Sequence, residues 1–168
     1  MPSDDSSAAP DRATELVRLL GLVRHPEGGH YREIFRSPRQ VAGPERRSAL
    51  TCIDFMLAAG EHSAWHRVAS DEAWHLLEGG PLTLWLVPPA LDRIECVELA
   101  RADGVRAPRH VVPAGWWQSA VPAQGCHAYV GATVGPGFDF ADFAFGRDDA
   151  ALRAALGTLR PELLRLLA

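Results

Sequence analysis

The side chains with the greatest chemical reach crowd into one stretch, GEHSAWHRVASDEAWHLLEG, from Gly60 to Gly79. It holds His62, His66, Glu72 and His75. Imidazoles and carboxylates do two kinds of work: they ligate first-row metals, and they move protons near neutral pH. The pleat decides which of them can act together. Successive strand residues point to opposite faces, so residues 62, 64, 66 and 68 share a face if that run is a regular strand. From Glu72, alternation sends Trp74 and Leu76 to one face and His75 to the other. His75 is therefore expected in packing or at an interface. A second stretch, PAGWWQ from Pro113 to Gln118, ends in a primary amide. Alternation pairs Gln118 with Trp116 and turns Trp117 outward. A buried amide must satisfy both its oxygen and its NH₂, which a ligand's carbonyl or hydroxyls would do. Trp74, Trp116 and Gln118 are thus expected to line a pocket, and Arg32 in HPEGGHYRE is a candidate anion clamp.

The chain that must position these groups has 168 residues and a mass of 18.2 kDa, enough for one good-sized domain. Its 47% hydrophobic and 23% charged residues are an ordinary globular balance, not that of a disordered or fibrous chain. A net charge of -4 argues against a nucleic-acid partner, since phosphate binding needs a basic surface. No apolar run approaches the roughly 20 residues of a membrane span. The acidic, polar start MPSDDSSAAPDR is unlike a signal peptide. Cys52, Cys96 and Cys126 are odd in number and lack CxxC spacing, so neither a disulfide framework nor a zinc site is expected. These features together point to a cytoplasmic protein.

Residues 1–10 read as a flexible tail and residues 11–168 as a single domain. A helix is expected from Asp11 with Gly21 as its stop, and another through Ala151, Leu152, Ala155, Leu156 and Leu159. Pro161 should open a last short turn. Between these ends, eight or more short strands separated by Gly, Pro, Asp and Ser clusters predict an all-β sandwich or barrel. In FDFADFAF the aromatic residues change faces midway, which predicts a bulge near Ala141 or Asp142.

The spacing Gly60, five residues, His66, one residue, Val68, three residues, Glu72, six residues, Gly79 resembles the first signature motif of the cupin superfamily. Val68 stands where that motif has its second metal-binding His. PAGWWQ resembles the second motif, with Gln118 in place of its His. Four ordered segments, LGLVRHPEGGHYRE (20–33), SDEAWHLLEGGPL (70–82), VPAGWWQSA (112–120) and TVGPGFDFADFAFG (133–146), sharpen the likeness to the cupin-5 family, a domain of unknown function (985-like). The resemblance implies an all-β cupin jelly-roll (double-stranded β-helix) barrel with short helices at its N- and C-terminal ends.

It also implies a small-molecule site inside that barrel, with no cofactor. His66 and Glu72 are its catalytic candidates, His66 acting as a base oriented by Glu72. Tyr129 is a candidate acid, and Gln118, Trp74, Trp116, Tyr129 and Arg32 are ligand-binding candidates. No metal is expected, because Val68 and Gln118 remove two imidazoles. If one is held, its set would be His62, His66, Glu72 and Gln118. The leading reading is a sugar- or nucleotide-like ligand and a metal-independent isomerase or epimerase. A metal-dependent oxygenase or isomerase and a non-enzymatic ligand-binding domain stay open beside it. A homodimer is expected, through the segment from His30 to Arg36 or the outer face carrying His75.

Overall fold

A computed structural model describes residues 11–42 and 45–168, so the tail expected over residues 1–10 lies outside the described residues. Helix α1 (Arg12–Leu20) begins where the Asp11 carboxylate accepts the Thr14 backbone N–H at 3.1 Å. It ends at Gly21, whose φ of 62° suits a residue without Cβ. At the other end, Asp149 caps α2 (Ala150–Leu159) by accepting from the Leu152 backbone N–H at 2.8 Å. A 3₁₀ segment, Pro161–Leu167, follows.

The region between is β: β1 (Val23–Arg24), β2 (His30–Arg36), β3 (Gln40–Val41), β4 (Arg47–Ser48), β5 (Thr51–Leu57), β6 (Ser63–Val68) and β7 (Asp71–Gly79) come first. Then follow β8 (Leu82–Val87), β9 (Glu95–Leu99), β10 (Arg109–Val112), β11 (Trp117–Pro122), β12 (Ala128–Gly135) and β13 (Phe143–Phe145). They form a larger sheet in the order β1-β2-β5-β12-β7-β10, a smaller one in the order β13-β6-β11-β8-β9, and a separate β3-β4 ribbon. All the strand pairings are antiparallel.

Period-two alternation builds the layers. Phe55 and Leu57 from β5, Trp74 from β7, Ala128 and Val130 from β12 pack against Leu82, Leu84 and Leu86 from β8 and Ala120 from β11. This core lies between the two sheets. The outer side of the smaller sheet carries Trp65 and Trp117, which are buried under Leu152, Leu156, Leu163 and Leu166 of the C-terminal helical segments. Trp117 does point away from Gln118, as alternation requires, but into this second core and not into solvent. The outer side of the larger sheet receives α1 through Ala13, Leu16 and Met56.

Two irregularities matter for the site. Gln118 pairs with His66 and Ala120 with Ser63, so Ala64 and Trp65 on β6 stand opposite the single residue Ser119 on β11. This bulge puts Ser63, not Ala64, on the face of His66. In FDFADFAF the change of face comes from a 3₁₀ turn, Phe140–Asp142, capped by Asp139, and not from a bulge.

Candidate functional site

A cavity of about 400 Å³ opens between the sheets, within the usual size of small-molecule sites. The consecutive strands β6 and β7 belong to different sheets, so they deliver His66 and Glu72 from opposite walls. Trp74 follows Glu72 on the same face, and Phe55, Tyr31 and Phe143 supply further aromatic lining. Gln118 is fully buried behind this lining and ties it together. Its Nε2 donates to Glu72 Oε2 at 2.5 Å, and its Oε1 accepts from Trp74 Nε1–H at 2.9 Å. That pair of bonds fixes the orientation of the amide and satisfies both of its ends.

Two further groups reach the cavity from the turn before β2: His25 and Glu27. The Ala64 N–H donates to the Glu27 carbonyl at 2.7 Å, fastening this turn to β6. Gly28, at φ 107°, lies so close to the His62 carbonyl that a Cβ would run into it. His66 therefore meets Glu27. Its Nδ1 lies 2.8 Å from the Ala64 carbonyl, which can only accept, so Nδ1 carries a proton. Its Nε2 lies 3.2 Å from Glu27 Oε2. The Glu27 backbone N–H donates to His25 Nδ1 at 3.3 Å, so that nitrogen is unprotonated. His66 also stacks on Phe143, with centroids 5.4 Å apart.

Burial governs the charges. It holds His66 and His25 down at about 4, in each case against the charged imidazolium. Burial pushes Glu72 up to about 7, with the Gln118 amide acting in the other direction. Glu27 is raised well above the ordinary carboxyl range by burial and then by the charge of Glu72. The nearby Ser63 hydroxyl opposes that rise without reaching good hydrogen-bond geometry. The floor of the cavity thus combines neutral imidazoles with carboxyls held above their ordinary range.

The structure brings His66, Glu72 and Trp74 together around the cavity and corrects other expectations. Gln118 does not line it: the amide is buried behind Glu72 and Trp74, which engage both of its ends and leave none for a ligand. Glu72 does not orient His66: its partner is Gln118, while His66 is held by Ala64 and Glu27. His62 lies before β6 begins and on the far side of its bulge, and its Nε2 meets the Ala168 carbonyl oxygen at 3.0 Å. Trp116 precedes β11 and packs on the core between the sheets under Arg93, away from the cavity lining. Tyr129 points to the outer face of β12, where it donates to Asp54 at 3.0 Å. Burial and Asp54 push its hydroxyl up to about 12, which unsuits it as an acid at neutral pH. Arg32 reaches only the rim, half exposed and 3.8 Å from Asp54. His75 lies outside the cavity lining, as its pleat requires.

The profile of Cupin_5, described as Cupin superfamily (DUF985), matches residues 14–146. The chain belongs to this family. Among solved structures, this Cupin_5 chain is similar to a hypothetical protein from Leishmania major, at 29% identity and a TM-score of 0.76 over 92% of this chain and 96% of that one. It is likewise similar to a structural-genomics protein from Shewanella oneidensis, at 30% identity and 0.77 over 92% and 94%. Oxalate decarboxylase from Bacillus subtilis matches at 16% identity and 0.56, over 85% of this chain and 36% of its own, a likeness of fold alone. No curated protein matches the chain.

Many cupins hold a metal, and the motif positions of this member lack the donors for one. Val68 offers no donor, and both ends of the Gln118 amide are engaged by Glu72 and Trp74. His62 stands outside. Among the described residues, no three His, Cys, Asp or Glu side chains group as metal ligands. The residues at the motif positions do not fit a metal centre.

The sequence reading missed His25 and Glu27. Both lie in a turn, where neither helical nor strand periodicity gives a signal. The Gly28-Gly29 pair beside Glu27 was the available clue, because adjacent glycines permit a close backbone approach.

Proposed function

We propose that this cupin binds a small sugar-like or nucleotide-sugar-like molecule between its sheets, wrapped as a jelly-roll barrel. We further propose that it moves a proton on that molecule without a metal, as an isomerase or epimerase does. The observation that carries this reading is the convergence of His25, Glu27, His66 and Glu72 in an otherwise largely apolar cavity. Burial leaves the imidazoles neutral and one carboxyl balanced near neutral pH. Such groups serve proton abstraction next to a carbonyl. Trp74, Tyr31 and Phe143 offer flat apolar walls for a ring, and the rim residues Arg32 and Arg36 are the cations that a phosphate tail would meet.

A ligand that binds the native state raises its apparent stability. A thermal-shift screen of free sugars, nucleotide sugars and nucleobases is therefore expected to give a hit. That shift should vanish in His66→Ala and shrink in Glu72→Gln. A screen without hits, or a shift that survives in both variants, contradicts the proposal. Binding without proton exchange favours a ligand-binding domain instead. About one transition metal per chain after tag-free purification would revive the oxygenase reading.

A further inference from the structure

Glu27 has no task in the motif-based picture, yet it is buried in the cavity wall and sits between both imidazoles of the cavity. Its carboxyl lies 3.2 Å from His66 Nε2 and 3.7 Å from His25 Nδ1. The Nδ1 of His66 is committed to donating to the Ala64 carbonyl, so a neutral His66 has a lone pair, not a proton, on Nε2. That lone pair and a Glu27 carboxylate would repel each other. One proton must lie between them.

We infer that Glu27 is the proton donor of this site, held as a carboxylic acid against His66 Nε2, with Glu72 on the facing sheet as the base. This rests on the reading of the cavity as a proton-transfer site and assigns its roles. The groups facing Glu27 are His66 and Ser63 on β6, His25 across its own turn, and Glu72 on β7. Glu72 adds repulsion against ionising Glu27, and His66 accepts the Glu27 proton. Burial acts in the same direction, raising Glu27 and lowering His66. Glu72 differs because the Gln118 amide donates to it, which supports its carboxylate form. Two carboxyls in one cavity thus separate into an acid and a base.

In the step, the Glu72 carboxylate takes the proton from the ligand carbon next to a carbonyl. The C–H electron pair becomes the C=C bond of an enol, and the carbonyl oxygen receives the Glu27 proton. Glu72 then gives its proton to the former carbonyl carbon, while the neighbouring hydroxyl of the enediol returns a proton to Glu27 and becomes the new carbonyl. This completes an isomerisation with no net redox change and restores both carboxyls. His66 positions Glu27 and keeps it protonated between turnovers.

Carbon-13 NMR of glutamate carboxyls and nitrogen-15 NMR of histidine in the ligand-free, full-length protein test the assignment directly. At about pH 7, where an ordinary glutamate is ionised, the Glu27 carboxyl is expected to give a protonated signal. Glu27→Gln, which keeps an N–H donor toward Nε2, should delete that signal and leave His66 an Nδ1–H tautomer. An ionised Glu27, with His66 as imidazolium or neutral, overturns the inference. Should Glu27→Gln fail to fold, the wild-type His66 nitrogens decide it: an accepting Nε2 supports the assignment and a doubly protonated ring contradicts it. Neither result bears on whether a ligand binds, which the thermal-shift screen reads separately.

Discussion

His66 and Glu72 face one another from two sheets, and each has a different neighbour to answer to. Removing the His66 ring strands the Glu27 carboxyl without its partner, at a cost of about 1–3 kcal/mol in stability. His66→Ala is expected to abolish ligand binding while the chain still folds. Glu72→Gln keeps an acceptor for the Gln118 amide but loses the charge, so it should weaken binding or turnover far more than His75→Ala. Titration of each variant by calorimetry checks the ranking; equal losses from the His75 and Glu72 changes would contradict the facing of β7. The positions of His66, Glu72 and Trp74 were legible because motif spacing and pleat agree there, whereas Gln118 braces Glu72 and Trp74 from behind the lining. Tyr129 was misread although β12 carries its own evidence. Ala128, Val130, Ala132 and Val134 form the inward row, so the residue between the first two faces outward.

At the scale of the element, the bulge in β6 and the turn before β2 decide the composition of the site. An added residue in a strand reverses the faces beyond it, and that reversal removed His62 from the face of His66. Nothing local in the sequence marks a bulge, because its cause is the pairing with a distant strand. The helices were easier to read, since Asp11 and Gly21 mark the ends of α1 and the spacing of Leu152, Leu156 and Leu159 marks α2. The turn carrying Glu27 makes a sharper prediction. Gly28→Ala adds a Cβ where the His62 carbonyl stands and at a φ unsuited to L residues. It should cost about 1–3 kcal/mol and also weaken ligand binding by displacing Glu27. Gly60→Ala, also at positive φ but with open space around it, should cost about 1 kcal/mol and leave binding unchanged. Urea midpoints, with binding measured alongside, separate the two.

For the whole molecule, the buried titratable groups shape stability against pH from both sides. Glu72 rises from 4.5 to about 7 on folding, so it contributes stability that is full below 4.5 and lost as pH rises through about 7. His25 and His66 fall from 6.5 to about 4. Their contribution is full above 6.5 and lost as pH falls through about 4. Stability should therefore decline at both extremes. Glu27 is raised in the same direction, so Glu72→Gln should lessen the alkaline decline without removing it, gaining on the order of 3 kcal/mol on the wild type between about pH 4 and pH 8. Chemical denaturation across that range reads the difference, and parallel curves for the two proteins would contradict it. The half-exposed Ile34 and Phe35 on β2, and Leu77 and Val111 on the outer face of β7 and β10, are apolar surfaces that a homodimer would cover. Light scattering should find a dimer at micromolar concentration; a strict monomer would contradict this. The most direct measurement of metal-independent proton transfer is solvent deuterium incorporation into a ligand found by the screen, in chelator-treated protein. Deuterium is expected at one carbon next to the carbonyl with the wild type, and none with His66→Ala or Glu72→Gln. A ligand held tightly in the same cavity that gains no deuterium, or gains it only after iron or manganese is restored, would contradict the proposed chemistry.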